Sequence, residues 1–150
     1  MAINSWPQFD EKSISMVCDI LSTGNVNYLL GEQGRKFENE YAKWTGSKYA
    51  IALSNGTAAL DVSYKALGLN NFDAEVITTP RTYVATASSI VLSGAKPVFA
   101  DVDIDSGNIK ASTIEPLITK KTKAISIVHF AGWPADMKEI VSLAKSKNLY

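Results

Sequence analysis

Residues Tyr49 to Leu60 read YAIALSNGTAAL. A short apolar run breaks at Ser54-Asn55-Gly56-Thr57, and a helix-like pattern starts at once. A strand that feeds a helix N-terminus through a glycine turn leaves backbone N–H groups unpaired and pointing outward. Such a turn is ready to take an anion, a phosphate above all. Taken alone, the same four residues read equally as a strand-to-helix turn with Thr57 near the N-cap. Three other stretches offer chemistry. Tyr83 is an aromatic that either lies against a flat ring or fills a core. Asp101-Val102-Asp103-Ile104-Asp105 opens like a calcium loop. Its glycine comes one place late, at Gly107, and Ser112 stands where the bidentate Glu belongs. Turn and cap duty is the reading there, and no metal site is assigned. His129 is a strand-end histidine, either satisfied in the interior or facing a pocket. The chain has no G-x-G-x-x-G and no Gly-Lys-Ser/Thr, so nucleotide fingerprints are absent. With one histidine, no Ser–His–acid constellation can be drawn.

These stretches sit at regular positions in the predicted elements. Ile14, Val17, Cys18 and Leu21 recur at helical spacing and predict an amphipathic helix over 10–22. The segment GNVNYLLGEQG, residues 24–34, is a glycine-rich loop. The helix after it carries Phe37, Tyr41 and Trp44 on one face, with Gly46 as its C-terminal cap. Then comes a regular beat: strand 49–53, helix 57–67 with Leu60, Tyr64 and Leu67 on one stripe, strand 75–79, helix 83–92, and strand 97–100. Ser112 with Glu115 has the pattern of a capping box for a short helix. A strand over 124–128 and a helix marked by Met137, Ile140, Val141 and Ala144 follow. Strands alternating with helices define an α/β fold with a largely parallel sheet. Asn148-Leu149-Tyr150 reads as the entry to a further strand, so the chain is expected to be one piece of a longer protein.

Bulk composition narrows the classes. The 150 residues are 46% hydrophobic and 20% charged, which is ordinary for a globular domain. Lys+Arg and Asp+Glu both number 15, so there is no basic excess of the kind nucleic-acid proteins carry. The single cysteine, Cys18, excludes an internal disulfide and a cysteine-based zinc site. No apolar run approaches membrane-spanning length and the N-terminus has no signal-peptide layout, which makes a cytoplasmic protein the expectation.

Three segments together carry a resemblance: NYLLGEQGRKFENEYAKWTGSKYAIALSNGTAAL, EVITTPRTYVATASSIVLSGAKPVFADVD and TKAISIVHFAGWPADM. In order and spacing they resemble the DegT/DnrJ/StrS family of pyridoxal-phosphate enzymes, the nucleotide-sugar aminotransferases of polysaccharide biosynthesis. The resemblance implies the aspartate-aminotransferase type fold (PLP fold type I). Residues 1–150 would be the N-terminal portion of its large domain, and the rest of that domain and a small C-terminal domain would lie outside. It implies a homodimer that uses pyridoxal 5'-phosphate to move an amino group, from glutamate, to a keto nucleotide-sugar. Gly56 and Thr57 match the family's Gly-Thr that holds the cofactor phosphate, and Tyr83 matches the aromatic that stacks on the pyridine ring. Arg81 stands where many members have an apolar residue and receives no role. His129 matches a strand end near the pocket, without a catalytic part. The 24–34 loop matches a segment near the active site. The Schiff-base lysine and the Asp that pairs with the pyridine nitrogen would lie beyond Tyr150. No catalytic residue is therefore assigned in this chain, and by itself it is expected to be inactive. The family also holds sugar dehydratases in which that lysine is a histidine, so a dehydratase is one alternative and a non-catalytic fragment another.

Overall fold

The computed structural model describes residues 6–70 and 73–150. The chain divides into two compact units, Met1–Ala52 and Leu53–Tyr150.

In the first unit, α1 (Glu11–Thr23) begins where the Asp10 carboxylate accepts a hydrogen bond from the Ser13 N–H at 2.7 Å. This satisfies one of the amides that a helix start leaves open. Helix α2 spans Gln33–Thr45, and Gly46 closes it in the left-handed conformation, as predicted. Its aromatic stripe forms, with ring centroids 5.7 Å apart for Phe37–Tyr41 and 5.5 Å for Tyr41–Trp44. Glu38 organises the unit. One carboxylate oxygen accepts from the Ala52 N–H and the other from the Tyr28 hydroxyl, both at 2.8 Å. The Ala52 amide, then the Tyr28 hydroxyl, hold the Glu38 carboxyl below the usual range, and the carboxylate pushes the Tyr28 hydroxyl up. Ile14, Val17 and Leu21 of α1 and the aromatic stripe of α2 remain exposed within the chain.

The predicted strand over 49–53 does not form. Tyr49, Ile51 and Leu53 are exposed, and no described strand pairs with the segment. A strand is stable only when its N–H and C=O groups find a ladder partner. An apolar run alone does not supply one.

The second unit is built on three parallel strands in the order β2-β1-β3: β1 (Glu75–Thr78), β2 (Lys96–Phe99) and β3 (Thr122–Ile125). Val76 sits opposite Pro97 and Ala124, Ile77 opposite Val98 and Ile125, with an irregularity in β3 between the partners of Glu75 and Val76. Helix α3 (Gly56–Ala66) precedes the sheet, and α4 (Ala85–Ser93) connects β1 to β2. The short α5 (Ala111–Ile114) with a 3-10 turn, Glu115–Leu117, connects β2 to β3, and α6 (Met137–Ser146) follows. The expected Ser112–Glu115 capping box is absent. Helix α5 starts earlier, and the Thr113 hydroxyl accepts from the Lys110 N–H instead, at 3.1 Å.

Alternation along β1 produces two cores. Val76 packs with Tyr64, Leu69, Ile90 and Ala124 on the face covered by α3 and α4. Ile77 packs with Ile109, Ile114 and Ile140 on the face covered by α5 and α6. Both residues are fully buried, as a central parallel strand requires. On the outer edge of β3, the Tyr150 N–H donates to the Lys123 carbonyl at 3.0 Å and the Ile125 N–H to the Tyr150 carbonyl at 2.9 Å. That is the parallel-ladder pattern, so the residues expected to enter a strand do begin to pair.

Candidate active site

The sheet topology locates the crevice. After β1 the chain crosses through α4, on one face, to the strand at β1's outer side. After β3 it runs through α6, on the other face, to Tyr150 at β3's outer side. The two connections diverge, so the carboxyl ends of β1 and β3 form a topological switch point, where open α/β sheets bind ligands. A polar network fills it. The buried Thr78 hydroxyl donates to the Ser126 carbonyl at 2.9 Å, and the Ser126 and Tyr64 hydroxyls are 2.7 Å apart. Burial pushes the Tyr64 hydroxyl up.

Helix α3 presents its N-terminus at this end. Leu67–Leu69, past its C-terminus, line one cavity with Ala74 and Lys121, at the amino ends of β1 and β3. Its start therefore lies toward the carboxyl ends. Asn55, and not Thr57, is the N-cap: its side chain accepts from the Ala58 N–H at 2.9 Å, and its carbonyl accepts from the Ala59 N–H at 3.1 Å. The first two amides of the helix, Gly56 and Thr57, have no acceptor among the described residues. A Cβ added at Gly56 would meet nothing within 4 Å. Two free amides at a helix start, beneath open space, suit a phosphate group. Tyr83 lies in the loop between β1 and α4 and is 77% exposed, so its ring fills no core of the chain and its faces are free. The loop is set by the Thr79 hydroxyl, which accepts from the Arg81 N–H at 3.1 Å, and by the paired hydroxyls of Thr82 and Thr86 at 2.9 Å. These are the features a phosphorylated, flat-ringed cofactor needs from a protein, and the residues present fit pyridoxal phosphate.

The loops after β2 and β3 are tied together by a residue that sequence reasoning passed over. Asn108 is 3% exposed. Its Nδ2 donates to the Trp133 carbonyl at 2.9 Å and its Oδ1 accepts from the Phe130 N–H at 3.0 Å. The acidic stretch before it makes a turn, as expected: Asp103 Oδ1 accepts from the Ser106 N–H and hydroxyl, both at 3.0 Å, and Oδ2 pairs with Lys110 at 2.6 Å. The Lys110 ammonium, with the Ser106 donors, holds the Asp103 carboxyl down at about 2. Among the described residues no group of three or more His, Cys, Asp or Glu could hold a metal ion. His129 is exposed at the end of the β3 loop, where its Nδ1 accepts from the Ala135 N–H at 3.1 Å. In the neutral ring this leaves the proton on Nε2. Arg81, given no role from sequence, lays its guanidinium 4.1 Å from the centre of the Phe130 ring. The one sequence signal was an arginine where the resemblance has an apolar residue.

A parallel α/β sheet with free amides at a helix start and an exposed aromatic in the loop after its central strand has the layout of a ligand-binding α/β fold. Residues 7–150 match the model of the DegT/DnrJ/EryC1/StrS aminotransferase family, and the chain belongs to that family. It is 40% identical over 139 residues to the UDP-4-amino-4-deoxy-L-arabinose–oxoglutarate aminotransferase of Shewanella sediminis, covering 93% of this chain and 35% of that protein. The aminotransferase from Psychrobacter cryohalolentis superposes with a TM-score of 0.95 at 48% identity, over 99% of this chain and 38% of that one. NtdA from Bacillus subtilis, solved with bound pyridoxamine phosphate, superposes with a TM-score of 0.85 at 32% identity, over 91% and 31%. The chain thus spans between 31% and 38% of the length of these relatives. Pyridoxal phosphate is the cofactor expected of it.

Proposed function

We propose that this chain is the N-terminal part of the large domain of a pyridoxal-phosphate-dependent sugar aminotransferase. The parent enzyme moves an amino group from glutamate to a keto nucleotide-sugar, in the cytoplasm and as a homodimer. The observation that carries the reading is the pair of unclaimed amides at Gly56 and Thr57 under open space, at the start of a helix that faces the switch point. In this reading those amides and the Thr57 hydroxyl hold the cofactor phosphate, and Tyr83 gives its ring face to the pyridine. The bound cofactor supplies an electron sink for the chemistry at the amino-bearing carbon. What residues 53–150 contribute is binding and orientation. The lysine that carries the cofactor and the acid that faces its ring nitrogen come from chain beyond Tyr150. The oxoglutarate in the name of the Shewanella relative, the keto acid of glutamate, supports glutamate as donor.

The test is amino transfer by the full-length protein. Loaded with pyridoxal phosphate and given glutamate with a keto nucleotide-sugar, it should release one 2-oxoglutarate for each aminated sugar. A deoxygenated sugar in place of an aminated one would assign the dehydratase reaction and contradict the proposal.

A further inference from the structure

We propose that the groove between the loops that follow β1, β2 and β3 seats the nucleotide end of the substrate, with Arg81 pairing to its diphosphate. The inference rests on the reading of the substrate as a nucleotide-linked sugar. The groove measures about 460 Å³ and is lined by Arg81, Ile104, Asp105, Phe130 and Trp133 among others. That is within the roughly 300–1,000 Å³ typical of ligand clefts. An amino-acid donor would leave most of it empty.

Its chemistry is divided. The Arg81 guanidinium carbon lies over the Phe130 ring, 4.1 Å from its centre, and the group packs on the backbone turn at Gly107. A Cβ at Gly107 would come within 2.5 Å of one guanidinium nitrogen, and with φ at +69° the position also disfavours any side chain. The guanidinium is thus confined between the Phe130 ring and the Gly107 turn, yet it enters no ion pair among the described residues. The nearby Asp103 is already paired with Lys110. A preorganised guanidinium with free donors favours a phosphate oxyanion, which it can grip with two parallel hydrogen bonds. Beside it, Trp133 is 66% exposed and Ile104 92% exposed. Two large apolar side chains at a groove wall offer stacking and contact to a planar base. Asp105, in the same groove, is an acceptor for ribose hydroxyls or base N–H groups. Cation, apolar wall and acceptor in one groove match a nucleoside diphosphate better than a simple anion.

The test uses the full-length protein with UDP and GDP as probes, measured by calorimetry, and both half-reactions measured by stopped flow. R81Q should weaken binding of the nucleoside diphosphate that the protein prefers by tenfold or more. It should raise the acceptor KM by a similar factor and leave the glutamate half-reaction unchanged. R81K should recover part of the loss, and Trp133→Ala should weaken nucleotide binding while inorganic pyrophosphate binding stays constant. Equal damage to both half-reactions, or a loss confined to the glutamate side, would overturn the proposal. So would UDP and GDP affinities that ignore Arg81. Nucleotide binding is read without turnover. A protein that transfers no amino group but binds nucleotide through Arg81 would sink the functional reading and leave this one standing. An active aminotransferase indifferent to R81Q would do the reverse.

Discussion

A Cβ added at Gly56 would meet nothing within 4 Å beyond its own chain neighbours and helix backbone, among the described residues. The residue is the first of α3 and lacks a positive φ, so a Cβ brings neither a clash nor backbone strain. A loss of cofactor affinity on Gly56→Val with the cofactor-free stability unchanged therefore does not report on packing against the described residues. We expect spectral titration of the full-length protein to show the dissociation constant for pyridoxal phosphate raised at least tenfold, with the melting temperature of the cofactor-free protein nearly unchanged. Unchanged affinity would remove Gly56 from the cradle. Tyr83 makes the complementary case. Its ring is exposed, and no hydrogen bond of its hydroxyl fixes it among the described residues. If the ring face is what serves, Tyr83→Phe should keep most cofactor affinity and Tyr83→Ala should lose about fivefold, since a stacked aromatic is worth on the order of 1 kcal/mol. Equal losses in the two variants would give the role to the hydroxyl. The placement of both residues is legible because the pattern is local: a glycine turn before a helix and an aromatic after a strand. Asn108 and Arg81 were not. Their partners, Trp133 and Phe130, lie 25 and about fifty positions along the chain, and no local pattern announces such a pairing.

At the scale of elements, the site depends on how firmly the loop after β2 is held. Asp103 is its anchor, with its carboxyl held down at about 2, first by Lys110 and then by the Ser106 amide and hydroxyl. An unfolded Asp titrates near about 3.9. Since the folded value lies below the unfolded one, the stabilisation is complete above about pH 4 and fades as pH falls toward 2. Asp103→Asn should then lower the urea midpoint at pH 7, and the gap to the unsubstituted protein should shrink between pH 4 and pH 2. A gap constant across that window would mean the charge of Asp103 contributes nothing. The three strands and most helices were readable from periodicity because each carries its own apolar pattern: Val76 and Ile77 alternate to two faces, and Met137, Ile140 and Ala144 recur at helical spacing. The segment 49–53 has the same local look as β1. It fails to be a strand because pairing is a property of neighbours, and none of the described strands pairs with it.

At the scale of the whole molecule, α1 and α2 are amphipathic helices whose apolar faces stay exposed within the chain. Faces of that kind need a partner surface. The chain spans at most 38% of the structures it superposes on here. In the proposed function, residues 1–150 shape the cofactor site and the chain beyond Tyr150 completes it. The direct measurement is borohydride reduction in the presence of pyridoxal phosphate, carried out on the isolated chain and on the full-length protein, with labelled lysines mapped by mass spectrometry and amino transfer assayed in parallel. We predict one lysine labelled stoichiometrically in the full-length protein, located beyond Tyr150, and neither specific labelling nor transfer in the isolated chain. A single lysine within residues 1–150 labelled stoichiometrically, together with amino transfer to a keto nucleotide-sugar, would contradict the account.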